Sequence, residues 1–273
     1  MYFWNENKTT MNLELLTKQV ANLSRITGSF LKNELHNLKK SDVHEKGIND
    51  FVTYVDKTSE KKIVAGLSRI LPEAGFIAEE NQSYKRKEKY NWIIDPLDGT
   101  TNFIHGVPLY SISIALMQNN EIISGVVYEV NLKECFYAWQ GSDAFLNGHV
   151  IGISQAESIK DSLFATGFPY YDYSRLDDYM EIFIHLMKNS HGVRRLGTAA
   201  VDLAYVACGR YEGFFEYGLR PWDVAAGELI VRQAGGVVSD FKGNNNHVFG
   251  KEIIATNKNI FGEFLELTKK HFK

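Results

Sequence analysis

Residues 90–103, Tyr-Asn-Trp-Ile-Ile-Asp-Pro-Leu-Asp-Gly-Thr-Thr-Asn-Phe, place two carboxylates three positions apart at the end of an apolar run. Tyr90, Trp92, Ile93 and Ile94 predict a short buried strand that ends on Asp95. Pro96 removes a backbone donor there, and Asp98-Gly99 is a turn pair in which glycine tolerates positive φ. Thr100-Thr101-Asn102 supplies hydroxyls and N–H groups of the kind found at a helix start. Two carboxylates beside backbone donors could hold a metal ion and a phosphate together. The competing reading is a plain turn, since Asp-Pro and Asp-Gly are common turn dipeptides.

An acid recurs at the end of a predicted strand or the start of a predicted helix: Asp56, Glu79, Asp95, Asp98 and Asp223. If these converge, they repel. Two unit charges about 4 Å apart cost about 1 kcal/mol in water and about 4 kcal/mol at an effective dielectric of 20. Several such pairs would cancel a folding free energy of about 5–15 kcal/mol. Convergence therefore demands hard divalent cations, and an all-oxygen donor set points to Mg²⁺. Each acid also has a purely local reading: Asp56 as a helix cap, Asp223 as a first-turn anion favoured by the helix dipole, Glu79-Glu80 as a solvated pair. Other chemistries are excluded. No His-x-x-His, His-Glu-x-x-His or Cys-x-x-Cys spacing supports zinc, and neither a Gly-x-Ser-x-Gly elbow nor a Walker-type glycine loop is present.

The elements that must position these acids follow from periodicity. Residues 12–39 carry Leu16, Val20, Leu23, Phe30 and Leu31 near one face and predict a long packing helix. Residues 39–50 are polar and predict a mobile loop; Phe51–Val55 is β-prone, and a helix carries Ile63, Val64, Leu67, Ile70 and Leu71. Gly75–Ala78 predicts a strand leading to Glu79, and residues 109–139 a β-meander. The first half thus reads as α+β, with an antiparallel sheet behind the acidic loops. The second half alternates: a strand at Ser162–Thr166, a helix at Leu176–Met187 capped by Ser174, then Val193–Leu196 leading into Gly197-Thr198-Ala199-Ala200 and a helix to Ala207. That small-residue turn lets a phosphate or sugar approach, or serves only packing. Tyr211–Tyr217, a helix over Val224–Gln233, late strands at Val237–Asp240 and Ile253–Thr256, and a closing helix complete the chain.

The 273 residues carry a net charge of −3, which gives no reason to expect nucleic acid. Two cysteines, Cys135 and Cys208, suit a reducing cytoplasm and exclude a disulfide framework. No apolar run approaches the roughly 18–20 residues needed to cross a bilayer. Met11 could be an alternative start, so residues 1–10 read as an extension of one domain over 11–273, with halves at roughly 11–155 and 156–273.

Three strings together resemble the signatures of the inositol monophosphatase family: Ile-Ala-Glu-Glu-Asn at 77–81, Asp-Pro-Leu-Asp-Gly-Thr-Thr-Asn-Phe at 95–103, and Trp-Asp-Val-Ala-Ala-Gly at 222–227. Asp50-x-x-Thr53-x-x-Asp56 and Gly197–Ala200 match in order, and the resemblance runs from about residue 12 to about 262. It implies a layered αβαβα sandwich, commonly a homodimer, with two to three Mg²⁺ per site. Glu79, Asp95 and the Leu97 carbonyl match the ligands of one ion, and Asp95, Asp98 and Asp223 those of a second. Gly99 and Thr100 match the phosphate-holding turn, and Asp56 the partner of the Thr100 hydroxyl. Asp98, Gly197, Thr198, Ala199 and Glu216 match substrate-side positions. Arg220 stands where relatives vary; it is a candidate for binding a hydroxyl-rich or doubly phosphorylated ligand, or a surface ion pair. Ala78 and Asn81 depart from the usual Gly and Ser or Thr, and neither is a ligand position. The implied activity is hydrolysis of a small phosphate monoester, myo-inositol monophosphate or a related sugar phosphate, by metal-activated water. Fructose-1,6-bisphosphatase, NADP phosphatase and histidinol-phosphatase activities share the same motifs. Thr101 argues against 3′-phosphoadenosine-5′-phosphate phosphatases, which typically carry Lys there. A regulatory, protein-binding scaffold is the non-enzymatic alternative.

Overall fold

The computed structural model describes residues 11–47, 50–169 and 171–272. The expected extension over residues 1–10 and positions 48–49 of the expected loop lie outside the described residues. The chain enters as α1 (Leu13–Glu34), whose first turn is closed by the Asn12 side chain accepting the Leu15 N–H at 2.9 Å. The helix stops five residues short of the expected end, because its buried stripe finishes at Leu31. Within the expected loop, β1 (Val43–Gly47) instead pairs antiparallel with β2 (Asp50–Thr53). Backbone pairing satisfies those main-chain groups whatever the polarity of the side chains. Then come α2 (Tyr54–Ile70), β3 (Gly75–Ala78), β4 (Tyr90–Asp98) and the single-turn α3 (Thr100–Ile104). A meander follows: β5 (Ser111–Gln118), β6 (Glu121–Glu129), β7 (Glu134–Trp139), β8 (Ala144–Leu146) and β9 (His149–Ile151). Strands β3 to β9 form one sheet in sequence order, antiparallel except for the β3–β4 pair.

The second half supplies β10 (Leu163–Thr166), α4 (Leu176–Asn189), β11 (Gly192–Arg194), α5 (Ala199–Ala207), β12 (Gly213–Tyr217), α6 (Pro221–Gln233), β13 (Val237–Ser239), β14 (Glu252–Thr256) and α7 (Phe261–His271). Its five strands are ordered β11-β10-β12-β14-β13. Ser174 does not cap α4. Its hydroxyl and its N–H both go to Asp172 Oδ1, so the helix begins after Arg175 without a side-chain cap.

The layers follow from which faces are apolar. Helices α1 and α2 cover one face of the large sheet, α5 and α6 lie between the two sheets, and α4 and α7 cover the outer face of the small one. This is an αβαβα sandwich with three buried clusters. On β4, alternate residues go to opposite sides: Trp92 and Ile94 outward under α1 and α2, Ile93 inward toward α5 and α6. A third cluster, around Phe164, Tyr179, Phe215 and Phe264, seals the outer helices. The central helices sit close. A Cβ on Gly125 of β6 would lie 2.6 Å from the Ala226 carbonyl oxygen of α6. Gly125→Ala should therefore destabilise the protein by about 1–3 kcal/mol, read as a lower thermal midpoint, because both clashing groups are backbone-fixed. An unchanged midpoint would show that α6 can withdraw from the sheet.

Candidate metal and phosphate site

The site begins with a bulge. Asp95 pairs with Ser113 and Asp98 with Ser111, so three steps on β4 oppose two on β5. In a regular strand, residues three apart face opposite sides. The extra residue turns Asp98 to the inner side, the side that Ile93 and Asp95 already share. There Asp98 Oδ2 accepts the Ala200 N–H at 3.0 Å and the Thr198 hydroxyl, with Ser111 Oγ at 3.5 Å. Thr198 is the N-cap of α5, so this carboxylate seats on a helix N-terminus. Ser113, two residues along β5, donates to the Trp222 carbonyl at the start of α6 at 2.9 Å. Asp223 follows in the first turn of α6 and accepts the Arg220 N–H at 2.7 Å.

Asp56 is both a cap and a member of the site. Its Oδ2 accepts the Thr53 N–H at 2.7 Å and the Thr53 hydroxyl at 2.6 Å, which closes the first turn of α2. Its Oδ1 lies 3.1 Å from Thr100 Oγ1, which also stands 2.9 Å from the Leu97 carbonyl. A hydroxyl has one hydrogen, so these two acceptors compete for it.

Glu79, Asp95, Leu97, Asp98 and Asp223 border one cleft of about 430 Å³, together with Gly99, Thr100, Gly197, Glu216 and Arg220. Gly99 opens α3 at φ 91°, a left-handed conformation natural to glycine, and Gly197 holds φ 86°. Asp56, Thr198 and Ala199 are buried and do not border the cleft; Thr198 reaches it only through Asp98.

Electrostatics follow from this crowding. Burial, then the charges of Glu79, Asp98 and Asp223, hold the Asp95 carboxyl well above the usual carboxylate range. Burial pushes Asp98 up to about 6 against the opposing hydrogen bonds from Thr198 and Ala200. Burial also raises Asp56, opposed by Thr53. Glu216 is raised well above its ordinary value by burial and by Asp223, with Arg195 acting the other way.

A divalent cation fits this donor set in chemistry and charge. All the donors are oxygens, and the charges of Glu79, Asp98 and Asp223 raise Asp95, a penalty that a cation removes. Among the described residues no three acid, histidine or cysteine side chains already close around a point; the acids line the cleft walls.

Several residues escaped sequence reasoning. Ser111 and Ser113 alternate on β5 and meet the starts of α5 and α6. Asn102 Nδ2 donates to the Leu109 and Leu196 carbonyls, both at 2.8 Å, and ties α3 to the segment before Gly197. Asp202 is buried on α5, and burial, Glu216 and Asp98 raise its carboxyl well above the usual range. Its one sequence signal was a lone acid in the otherwise apolar run Ala199–Ala207. Phe168 and Tyr171 form an aromatic rim, with the Arg195 guanidinium 5.8 Å from the Phe168 ring centre.

Comparison with known proteins agrees with this architecture. The inositol monophosphatase family model matches residues 12–272. A relative named Nus factor SuhB, from Pseudomonas aeruginosa, is 40% identical over 253 residues, covering 91% of this chain and 93% of its own. One named inositol-1-monophosphatase, from Mesorhizobium japonicum, is 37% identical, covering 89% and 92%. The crystal structure of the suppressor protein SuhB from Bartonella henselae superposes with a TM-score of 0.88 at 38% identity, covering 94% and 99%. An inositol monophosphatase from Anabaena (Nostoc) gives 0.84 at 33% identity, covering 96% and 98%. With its acids gathered on the scaffold those proteins share, the chain belongs to the inositol monophosphatase family.

Proposed function

We propose that this chain is a Mg²⁺-dependent phosphomonoesterase that hydrolyses myo-inositol monophosphate, or a related sugar phosphate, to the alcohol and inorganic phosphate. The observation that carries the reading is the gathering of Glu79, Asp95, Asp98 and Asp223 on one cleft, with the Thr100–Asp56 pair at its edge. Two to three Mg²⁺, held by Glu79, Asp95, the Leu97 carbonyl, Asp98 and Asp223, would supply Lewis-acid activation of water and neutralise charge on the phosphoryl oxygens. With its proton directed at Asp56, the Thr100 oxygen accepts a hydrogen bond from the attacking water and aims it at phosphorus. Glu79 takes up the proton that this water releases. The P–O bond to the new oxygen forms as the bond to the alcohol oxygen breaks. The departing oxygen takes its proton from a solvent water, whose hydroxide is neutralised by the proton that Glu79 gives up. Gly99 and Thr100 hold the phosphate. Gly197, Glu216 and Arg220 face the sugar, whereas Thr198 and Ala199 support that wall from behind. The active form is a homodimer, which sedimentation would test.

A second reading draws on the relatives named Nus factors: a protein-binding role beside or in place of turnover. A partner captured equally by wild type and by an inactive variant would support it.

Phosphate release should be Mg²⁺-dependent and strongest on inositol phosphate among a panel that includes fructose 1,6-bisphosphate, NADP and histidinol phosphate. Asp95→Asn should fold yet lose on the order of 10²–10³-fold in turnover. Near wild-type turnover in that variant would sink the assignment. Thr100→Val should keep Mg²⁺-induced thermal stabilisation while kcat falls on the order of 10²-fold.

The raised Asp98 carboxyl sets a pH dependence with a definite sign. A carboxyl raised in the folded state favours the protonated form, so its contribution to stability is complete below the unfolded pKa and is lost as pH rises through about 6. In chelator, wild type should lose stability relative to Asp98→Asn between pH 4 and pH 7, and Mg²⁺ should recover it at pH 7. Parallel stability curves for the two proteins would contradict this.

A further inference from the structure

One turn of α2 touches three separate segments of the cleft. The helix buries Asp56, Ser59, Glu60, Ile63 and Leu67 along a single stripe, the spacing of a core-facing helix. Ile63 and Leu67 pack into the cluster beneath the large sheet. The first three are polar yet at most 2% exposed, so their partners decide why they are there. Asp56 meets Thr100 at the start of α3. Ser59 Oγ donates at 3.0 Å to the Pro96 carbonyl, inside the bulge between Asp95 and Asp98. Glu60 Oε2 accepts the Glu80 N–H at 2.8 Å, one residue beyond Glu79.

We propose that Ser59 and Glu60 are positioning residues that fix the bulge and the Glu79 turn relative to each other, and so preorganise the acids for cation binding. The inference rests on the phosphatase reading above. Glu79 and Asp95 repel, and they stand on different segments. The β3–β4 pairing carries them as far as the Glu79 N–H, which donates to the Ile94 carbonyl at 3.3 Å. Beyond that bond the repulsion acts on the bulge and the Glu79 turn, which no longer pair with each other. Ser59 and Glu60 are adjacent on a rigid helix, so the two bonds they make hold both segments to one frame. Neither residue borders the cleft, and Glu60 gives its carboxylate oxygen to a backbone N–H. Their effect on cations therefore passes through geometry. Partners that orient ligands in this way typically alter metal affinity by about 10–100-fold.

The test is a Mg²⁺ titration followed by thermal shift and calorimetry, with hydrogen exchange at the Glu80 amide, on wild type, Glu60→Gln, Glu60→Met and Ser59→Ala. Glu60→Gln keeps an oxygen for the Glu80 N–H and should retain the wild-type Mg²⁺ midpoint and amide protection. Glu60→Met should raise the midpoint by about 10–100-fold and speed exchange at Glu80, with KM little changed at saturating Mg²⁺. Ser59→Ala, which removes one atom and folds even if Glu60→Met does not, should shift the midpoint in the same direction. A wild-type midpoint in Glu60→Met or, should that variant not fold, in Ser59→Ala would overturn the proposal. So would equal impairment in Glu60→Gln and Glu60→Met. A wild-type protein with no Mg²⁺ response and no phosphate release would instead overturn the phosphatase reading, and this proposal with it.

Discussion

The structure depends on holding like charges together. Glu79, Asp95, Asp98 and Asp223 come from two strand ends and a helix start, and the other three raise the cost of ionising Asp95. Nothing about a carboxylate favours that company. What fixes it is backbone. A one-residue bulge turns Asp98 inward, the starts of α5 and α6 offer N–H groups and positive dipole ends, and α2 clamps the bulge from the other side. Asp95, Asp98 and Asp223 each accept a backbone N–H, a donor that cannot rotate away. A site built like this is strained toward protonation without a cation and relaxed with one, which ties stability to binding.

The sandwich supplies the required geometry. The inward-facing end of β4, the start of α5 and the start of α6 all meet at one end of the central layer. Packing keeps them there: Gly125 leaves no gap between β6 and the Ala226 backbone, and a Cβ on Gly227 would stand 2.6 Å from the Leu203 side chain of α5. With interhelix and helix–sheet distances set by absent side chains, the N-termini of α5 and α6 cannot shift without breaking core contacts. Core packing and site precision are thus the same constraint seen at two ends of the helices.

Much of this was legible in the sequence, for definable reasons. Apolar runs mark elements well where the chain is buried on both sides, so β4 to β7, α5 and α6 stood close to where they were expected. They fail where backbone pairing alone decides, as in the hairpin of β1 and β2, and where one polar side chain has a closer suitor, as Ser174 has in Asp172. Asp95 and Asp98 were readable as candidate ligands because Asp-Pro-Leu-Asp-Gly-Thr is a dense local string. Ser59 and Glu60 were not read, although their signal exists: polar residues on positions that continue the stripe of Ile63 and Leu67. A polar residue on an apolar stripe carries meaning only once its partner is known, and those partners lie 20 and 37 residues away.

The choice between a capping acid and a chemical acid, open at the level of sequence, is not a real alternative here. Asp56 closes the first turn of α2 with one oxygen and meets Thr100 with the other; Asp223 accepts the Arg220 N–H in the first turn of α6 and borders the cleft. Capping is what makes these carboxylates rigid enough to be useful. Glu216 and Asp202 belong to a different environment. Burial raises both; the Glu216 charge then raises Asp202, the Asp223 charge raises Glu216, and Arg195 acts the other way on each. On the phosphatase reading this divides the cleft. Asp95, Asp98 and Asp223, each accepting a backbone N–H, present oxygens to cations and hence to phosphate. Glu216, with Arg195 offsetting its charge, borders the part of the cleft left to the alcohol, where a polyol can exchange hydrogen bonds.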